Sequence, residues 1–289
     1  MLRLIEANSL NEAFIKIADE LEYRPDSTTY PRGMETKEII NCLVKITNPY
    51  DRIVTNFFRK ISLKYLVGEW LWYERGSNSL EEISYYSKFW EKITDDGCTI
   101  NSSYGHRILG QHPLVKVNQW EYAKKQLIND KDSKRAVIII CLPSDLKERT
   151  KDLPCTMFLQ FLIRDNYLHL FCNMRGNDLI FGFTYDAACF TMFQEKMLLE
   201  LRKYYPNLQM GNYFHFTSNM EVYKRHYKML QQIVQNKDKS IKIQMPKMKD
   251  LSEIKKLQRN EKMIRTGSGK RLKKLNDRFC LWCQNILLK

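Results

Sequence analysis

Near residue 135 the hydrophobic pattern of the chain changes period. Upstream, apolar residues recur mostly at helical spacing; downstream, Ala136–Pro143 (AVIIICLP) is one continuous apolar run. A short unbroken run of this kind is the pattern of a strand covered on both faces. Two further runs, 156–163 (TMFLQFLI) and 167–174 (YLHLFCNM), flank Arg164-Asp165-Asn166 and read as a hairpin. Strands buried in this way need helices over them, and the rest of the chain supplies candidates. Residues 9–22 predict an amphipathic helix with Ser9 as its N-cap, and 52–75, 80–93, 116–128, 187–204 and 219–235 predict others. Further strands are expected at 39–49, 213–217 and 241–245, and a loop from Thr99 to Gly110. No βαβ unit repeats, and there is no internal repeat. The expected class is therefore a single α/β (α+β) domain over residues 1–246, a mixed β-sheet covered by helices. A basic extension, 247–289, follows, with a charged helix and a flexible break at Gly267-Ser268-Gly269.

Composition narrows the function classes. Of 289 residues, 44% are hydrophobic and 12% aromatic, enough for a substantial core and too many for a disordered chain. The net charge is +14, but residues 247–289 carry 13 Lys/Arg against 4 Asp/Glu, so the body is only mildly basic. The extension accordingly reads as a solvated basic helix, with contact to nucleic acid or a replication protein as the alternative. No apolar run is long enough to cross a bilayer, and the opening MLRLIEANSL lacks a signal-peptide core, so membrane spanning and secretion are not expected. Eight cysteines in this length do not make a disulfide scaffold and point to a reducing compartment. Cys280-Leu281-Trp282-Cys283 has no second ligand pair at zinc spacing and reads as two partly buried thiols near a helical end. His106, His112, His169, His215 and His226 are scattered, so no metal site is expected.

One cysteine stands apart. Cys155, in Leu153-Pro154-Cys155-Thr156, opens a strand, where a side chain can face a cleft. Arg175 ends the strand paired with it, and a nearby cation lowers a thiol's pKa and improves it as a nucleophile. Asp186 follows Phe181-Gly182-Phe183 at a helix entry.

These residues resemble the core of the thymidylate synthase superfamily. The resemblance runs through Asp152-Leu153-Pro154-Cys155, Gln160-Phe161, Met174-Arg175-Gly176-Asn177-Asp178 and Gly182-Phe183-Thr184-Tyr185-Asp186, and covers most of residues 30–245. Glu69-Trp70-Leu71-Trp72 with Arg75-Gly76 resembles the segment holding the family's catalytic glutamate, and Ile100–Gly105 its tyrosine loop with Tyr104. Asp132-Ser133-Lys134-Arg135 resembles the element that reaches the neighbouring subunit's phosphate. The resemblance thus implies a homodimer formed by sheet packing, with shared sites. Thr156 after the cysteine and Asp186 in place of an asparagine are similar to the phage-type deoxycytidylate (dCMP) hydroxymethylases. Gly176 for Ser, Lys134 for Arg, and Glu221-Val222-Tyr223 for His-x-Tyr depart from the family pattern.

What the resemblance implies is a folate-dependent transferase. Cys155 would add to C6 of a pyrimidine nucleotide, Glu69 would manage protons and Asp186 would read the base. Arg175, Lys134, Arg135 and Arg32 would hold the 5′-phosphate, with Asn177, Tyr104 and Tyr223 also on the nucleotide. Asp178 and Trp90 would contact 5,10-methylenetetrahydrofolate. The physical case for cytosine rests on Asp186: a carboxyl accepts from the C4 amino group and, when protonated, donates to N3. The alternatives are a deoxyuridylate (dUMP) hydroxymethylase or a thymidylate synthase, and, from another class, a non-catalytic nucleic-acid-binding protein on the same scaffold. The expected location is the cytoplasm, including that of a phage- or virus-infected host cell.

Overall fold

The computed structural model describes residues 2–110, 118–268 and 271–289; His112 and Gly269 lie outside the described residues, as do positions 116 and 117 of an expected helix. In chain order the strands are β1 (Arg3–Ala7), β2 (Ser27–Thr29), β3 (Thr36–Ile46), β4 (Val137–Ile139), β5 (Thr156–Arg164), β6 (Tyr167–Met174), β7 (Asn177–Asp178) and β8 (Gln209–Tyr223). The helices are α1 (Leu10–Tyr23), α2 (Leu63–Glu74), α3 (Leu80–Ser84), α4 (Trp90–Ile93), α5 (Tyr104–Leu109), α6 (Gln119–Asn129), α7 (Thr184–Leu201), α8 (Tyr227–Gln235), α9 (Ile254–Arg265) and α10 (Arg278–Leu287). They fall into two compact units: Met1–Ile61 with Leu159–Gln194 and Asn207–Met245, and Ser62–Phe158 with Glu195–Pro206 and Pro246–Lys289.

The first unit is built on a mixed sheet in the order β1-β3-β8-β6-β5, with β2 beside β3 and β7 beside β8. β1 runs parallel to β3, β8 antiparallel to β3, and β6 parallel to β8. The hairpin between β5 and β6 turns through Asp165 and Asn166, both left-handed at φ 48° and 65°. Asp and Asn tolerate that region better than other side-chain-bearing residues, and two positive φ values match the right-handed twist of the strands. One face of the sheet is closed: Ile39, Cys42, Val44, Leu170, Tyr213 and His215 are fully buried. α1 lies on β3 and brings Phe14, Ile17 and Leu21, all at 0% exposure. Each such side chain contributes about 2 kcal/mol relative to leaving it in water. The first part of α7 is buried almost all round, which explains its lack of an apolar stripe.

On the other face, Leu43 sits opposite Phe216, and Phe214 opposite both Lys45 and Phe171. Phe171 and Phe214 stack with centroids 4.6 Å apart, and all these side chains stay half-exposed.

The second unit is centred on α2, with Trp70, Trp72 and Leu71 at 0% exposure. Trp72 meets Trp90 at 5.6 Å, and Trp70 meets the edge of Phe279 from α10 at 5.2 Å. The C-terminal segment is therefore packed against the helix that carries Glu69. A salt bridge from Arg75 to the fully buried Glu261 (2.7 Å) and a hydrogen bond from the Tyr86 hydroxyl to Glu261 (2.6 Å) add to it. Cys280 and Cys283 are buried in α10. β4 joins the start of β5 through Ile140 and Cys141 N–H groups donating to the Met157 carbonyl. Its other edge is closed by Gln119, whose amide both donates to and accepts from Ile139.

Several elements differ from the sequence expectation. The helix expected over 52–75 begins only at Leu63, because the Asn11 side chain accepts from the Thr55 and Asn56 N–H groups and holds that stretch extended. The 80–93 helix is two short ones. Of the apolar 136–143 run only Val137–Ile139 forms a regular strand, before a 3₁₀ turn at Pro143. The strand expected at 213–217 is 15 residues long, and the helix expected from 219 begins at Tyr227 after a 3₁₀ turn. No regular strand forms at 241–245, where an isolated bridge joins Ser240 to Asn56. β1, not anticipated, pairs with β3 over its whole length.

Candidate active site

The candidate residues divide between the two units. In the second, α2 presents Glu69, which is 4% exposed. Tyr65 and Tyr73, one helical turn to either side, both donate to its Oε1, at 2.6 and 3.3 Å. Trp90 donates its indole N–H to the Tyr65 hydroxyl at 3.2 Å, so Trp90, Tyr65 and Glu69 form one chain of hydrogen bonds. The Tyr104 ring lies 5.7 Å from that of Tyr73. α5 comes this close because residue 105 is glycine: a Cβ there would stand 2.0 Å from the Tyr73 Cα.

The tyrosine loop is held from below by a lock that the sequence reading missed. Arg107 pairs with both oxygens of Asp145 (2.6 and 2.7 Å) and donates to the Asn101 carbonyl. Asn101 also donates to Asp145 and to the Asp152 carbonyl, and Ser102 N–H donates to the Asp152 carboxylate at 2.9 Å. Burial pushes the Asp152 carboxyl up. Three residues later, Cys155 stands half-buried immediately before β5, whereas Cys172 and Cys189 are buried. Lys134 and Arg135 are exposed ahead of β4.

In the first unit, β7 and a π turn over Leu179–Phe183 bring Asn177, Asp178 and Asp186 together. Asp178 caps the turn, accepting from Phe181 N–H at 2.6 Å, and Asn177 donates to Asp186 Oδ2 at 2.8 Å. Gly182 leaves room for that bond, since a Cβ would lie 2.7 Å from the Asn177 amide nitrogen. Burial, only partly offset by the Asn177 bond and reinforced by Asp178, pushes Asp186 up to about 7. Burial and Glu221 likewise raise Asp178 to about 6, against the pull of Arg225 and the turn's N–H groups. Asp186 is thus a carboxyl able to be a donor as well as an acceptor near neutral pH.

Near Asp178, Tyr223 shares hydrogen bonds with Glu221 and Arg32, and Arg225 lies over the Tyr223 ring at 4.5 Å. Arg32 is exposed on a 3₁₀ turn with φ 52°, and Arg175 is exposed after β6. Beneath, the buried Tyr213 hydroxyl bonds to His215 Nδ1 at 2.8 Å; burial lowers His215 to about 3 and keeps it neutral. Nothing in the sequence marks His215, whereas Tyr65 and Tyr73 at i−4 and i+4 from Glu69 are visible in it.

Among the described residues no cluster of three His, Cys, Asp or Glu has metal-holding geometry, and no helix is long and apolar enough to cross a membrane. The folate implied by the sequence resemblance can be tested against the residues present. Asp178 Oδ2 is buried without a hydrogen-bond partner, an acceptor that suits the N–H-rich edge of a pterin ring.

The chain is 28% identical over 206 residues to the deoxyuridylate hydroxymethyltransferase of Bacillus phage SP01, covering 68% of this chain and 53% of that protein. The chain therefore spans about half the length of that relative. It is 28% identical over 202 residues to the deoxycytidylate 5-hydroxymethyltransferase of Enterobacteria phage T6, covering 68% of this chain and 78% of that one. It is 25% identical over 227 residues to the thymidylate synthase of Bacillus mojavensis, with 76% and 78% covered. The thymidylate synthase family model matches residues 12–264, nearly the whole α+β fold described above, and the chain belongs to that family of one-carbon transferases.

Proposed function

We propose that the chain is a folate-dependent C5 hydroxymethyltransferase that converts dCMP to 5-hydroxymethyl-dCMP. The observation that carries this reading is the Asp186 carboxyl, held by Asn177 at 2.8 Å and pushed up to about 7 by burial. In its neutral form, with Oδ2 held as an acceptor by Asn177 and the proton on Oδ1, it donates to cytosine N3 and accepts from the C4 amino group; uracil, whose O4 accepts and N3–H donates, needs the roles of the two oxygens exchanged. Cys155 is the nucleophile: its sulfur adds to C6, breaks the ring conjugation and makes C5 enamine-like. Asp186 protonates N3 and stabilises that adduct. Methylenetetrahydrofolate, when bound, supplies the one-carbon unit to C5. Asp178 and Trp90 are assigned to hold it. Glu69, oriented by Tyr65 and Tyr73, takes the C5 proton through ordered water; water then adds to the exocyclic methylene and the Cys155 sulfur leaves C6, which restores the C5–C6 double bond and releases the hydroxymethyl product.

Arg175, Arg32, Lys134 and Arg135 are assigned to the 5′-phosphate, the last two from a partner subunit, and Asn177, Tyr104 and Tyr223 to the nucleotide. The half-exposed face with Leu43, Phe171, Phe214 and Phe216 supports a homodimer formed by sheet packing. Catalysis is assigned to residues 1–246, with 247–289 as an extension. The phage relatives support a setting in the cytoplasm of an infected cell.

The SP01 relative, named for deoxyuridylate, favours a second reading with the uracil nucleotide as substrate. Incubating the protein with methylenetetrahydrofolate and each pyrimidine nucleotide in turn, then weighing the products, separates the two. The expected product is dCMP plus a hydroxymethyl group; turnover of dUMP alone, or a methylated product, overturns the proposal.

A further inference from the structure

The charged residues of the C-terminal segment are sorted by depth. Glu253, Glu261 and Asp277 are 3%, 0% and 7% exposed, and each is engaged with the interior. Glu253 accepts from the Asn276 and Asp277 N–H groups, and Asp277 from those of Lys249 and Cys280. Glu261 accepts from Arg75, Arg265 and Tyr86. Of the segment's four acids only Asp250 is exposed, while most of its lysines and arginines are.

On α9 the sorting becomes a stripe. Ile254, Leu257 and Glu261 turn inward, and Lys255, Arg259 and Lys262 stand at i, i+4 and i+7 on the opposite side, all exposed. That spacing covers about 10 Å of helix. Asn260, buried on the inner side of α9, donates to the Lys273 carbonyl (2.8 Å) and accepts from its N–H (2.7 Å), which ties the following segment to the helix.

We infer that this face of α9 docks on the phosphate backbone of duplex DNA without reading bases. The inference is independent of the proposed chemistry. Charge complementarity selects a polyanion, since the stripe presents cations with no carboxylate among them. A single strand is a poorer fit because the segment's only aromatic residues, Phe279 and Trp282, are buried and half-buried in α10, which leaves no platform for bases to stack on. A membrane surface is a poorer fit because the apolar face of α9 is already turned inward and cannot insert.

The test is fluorescence anisotropy of a labelled 20-base-pair duplex titrated with the full chain at salt concentrations from 50 to 200 mM. Neutralising three phosphates predicts an affinity loss of about 40-fold over that range. In Lys255→Gln/Arg259→Gln/Lys262→Gln the salt slope should fall by about 2.7, with nucleotide turnover and thermal midpoint unchanged because all three side chains are exposed. Absence of wild-type binding at 50 mM salt overturns the inference, as does an unchanged slope in the triple variant. Tighter binding of the single strand, of anionic vesicles or of a polyglutamate peptide than of the duplex overturns it in favour of that partner.

Discussion

Asp186 carries the most chemical information of any single residue. On the proposed function its acid form donates to N3, so kcat/KM for dCMP should fall as pH rises through about 7. Asp186→Asn should remove that fall, lower activity on dCMP and raise it on dUMP. Losing the correct hydrogen-bond pairing is worth roughly a hundredfold in discrimination. Paired pH–rate profiles on both nucleotides check this, and an unchanged preference in the variant would sink the base-reading role. The same group leaves a mark on stability. Between its ordinary value of 3.8 and about 7, the folded chain keeps a proton that the unfolded chain has released. Wild type should therefore gain stability relative to Asp186→Asn as pH is lowered from about 8 to about 5. Cys155 makes a simpler prediction: Cys155→Ala should abolish turnover and tritium release from C5 while the melting curve stays the same. Cys189, buried in α7, should tolerate Ala with activity retained.

At the scale of elements, α2 is the organising helix of its unit. It holds Glu69 between two tyrosines and is clamped by the C-terminal segment through Trp70 on Phe279 and Arg75 on Glu261. Tyr86, whose ring fills the space beside Gly68, ends on the same Glu261. Removing one member of a buried charge cluster leaves the others unpaired, which costs about 3 kcal/mol or more. Glu261→Ala should thus lower the urea midpoint markedly, and Glu261→Gln, which keeps an acceptor for Tyr86, should lower it less. Equal stability of the alanine variant and wild type would show that the segment is not a brace for α2. Tyr65→Phe, by contrast, should leave stability nearly unchanged and reduce kcat more than it changes KM, because it removes a donor from Glu69 and little packing.

At the scale of the whole molecule, the prediction is assembly. A half-exposed sheet face with stacked Phe171 and Phe214 suits burial against a second copy, and Lys134 and Arg135 are assigned to the partner's phosphate. Light scattering should give a dimer, and Phe214→Asp should shift it toward monomer. Mixing Cys155→Ala chains with Arg135→Ala chains should restore activity in hybrids that hold one intact site. A fully active monomer, or no recovery on mixing, contradicts shared sites.

Local signals in the sequence determined much of this protein. Ser9 caps α1 by accepting from Glu12 N–H, Asp165-Asn166 turns the hairpin, and the alternating runs around it become β5 and β6. Such features depend on residues within a few positions of one another, so they are readable before the fold is known. The motif set around Cys155, Arg175 and Asp186 was legible for a different reason: those residue types in that order mark a family. Only the tertiary structure decided where backbone and charge found distant partners. Asn11 reaches 44 residues along the chain to stop a helix at Thr55, and β8 is extended over 15 residues by β3 and β6. Glu261 finds Arg75 across 186 residues. In the sequence the C-terminal segment is simply basic; folding turns three of its four acids inward and most of its cations outward, because a carboxylate can be buried only where donors converge on it, and only the fold brings those donors together.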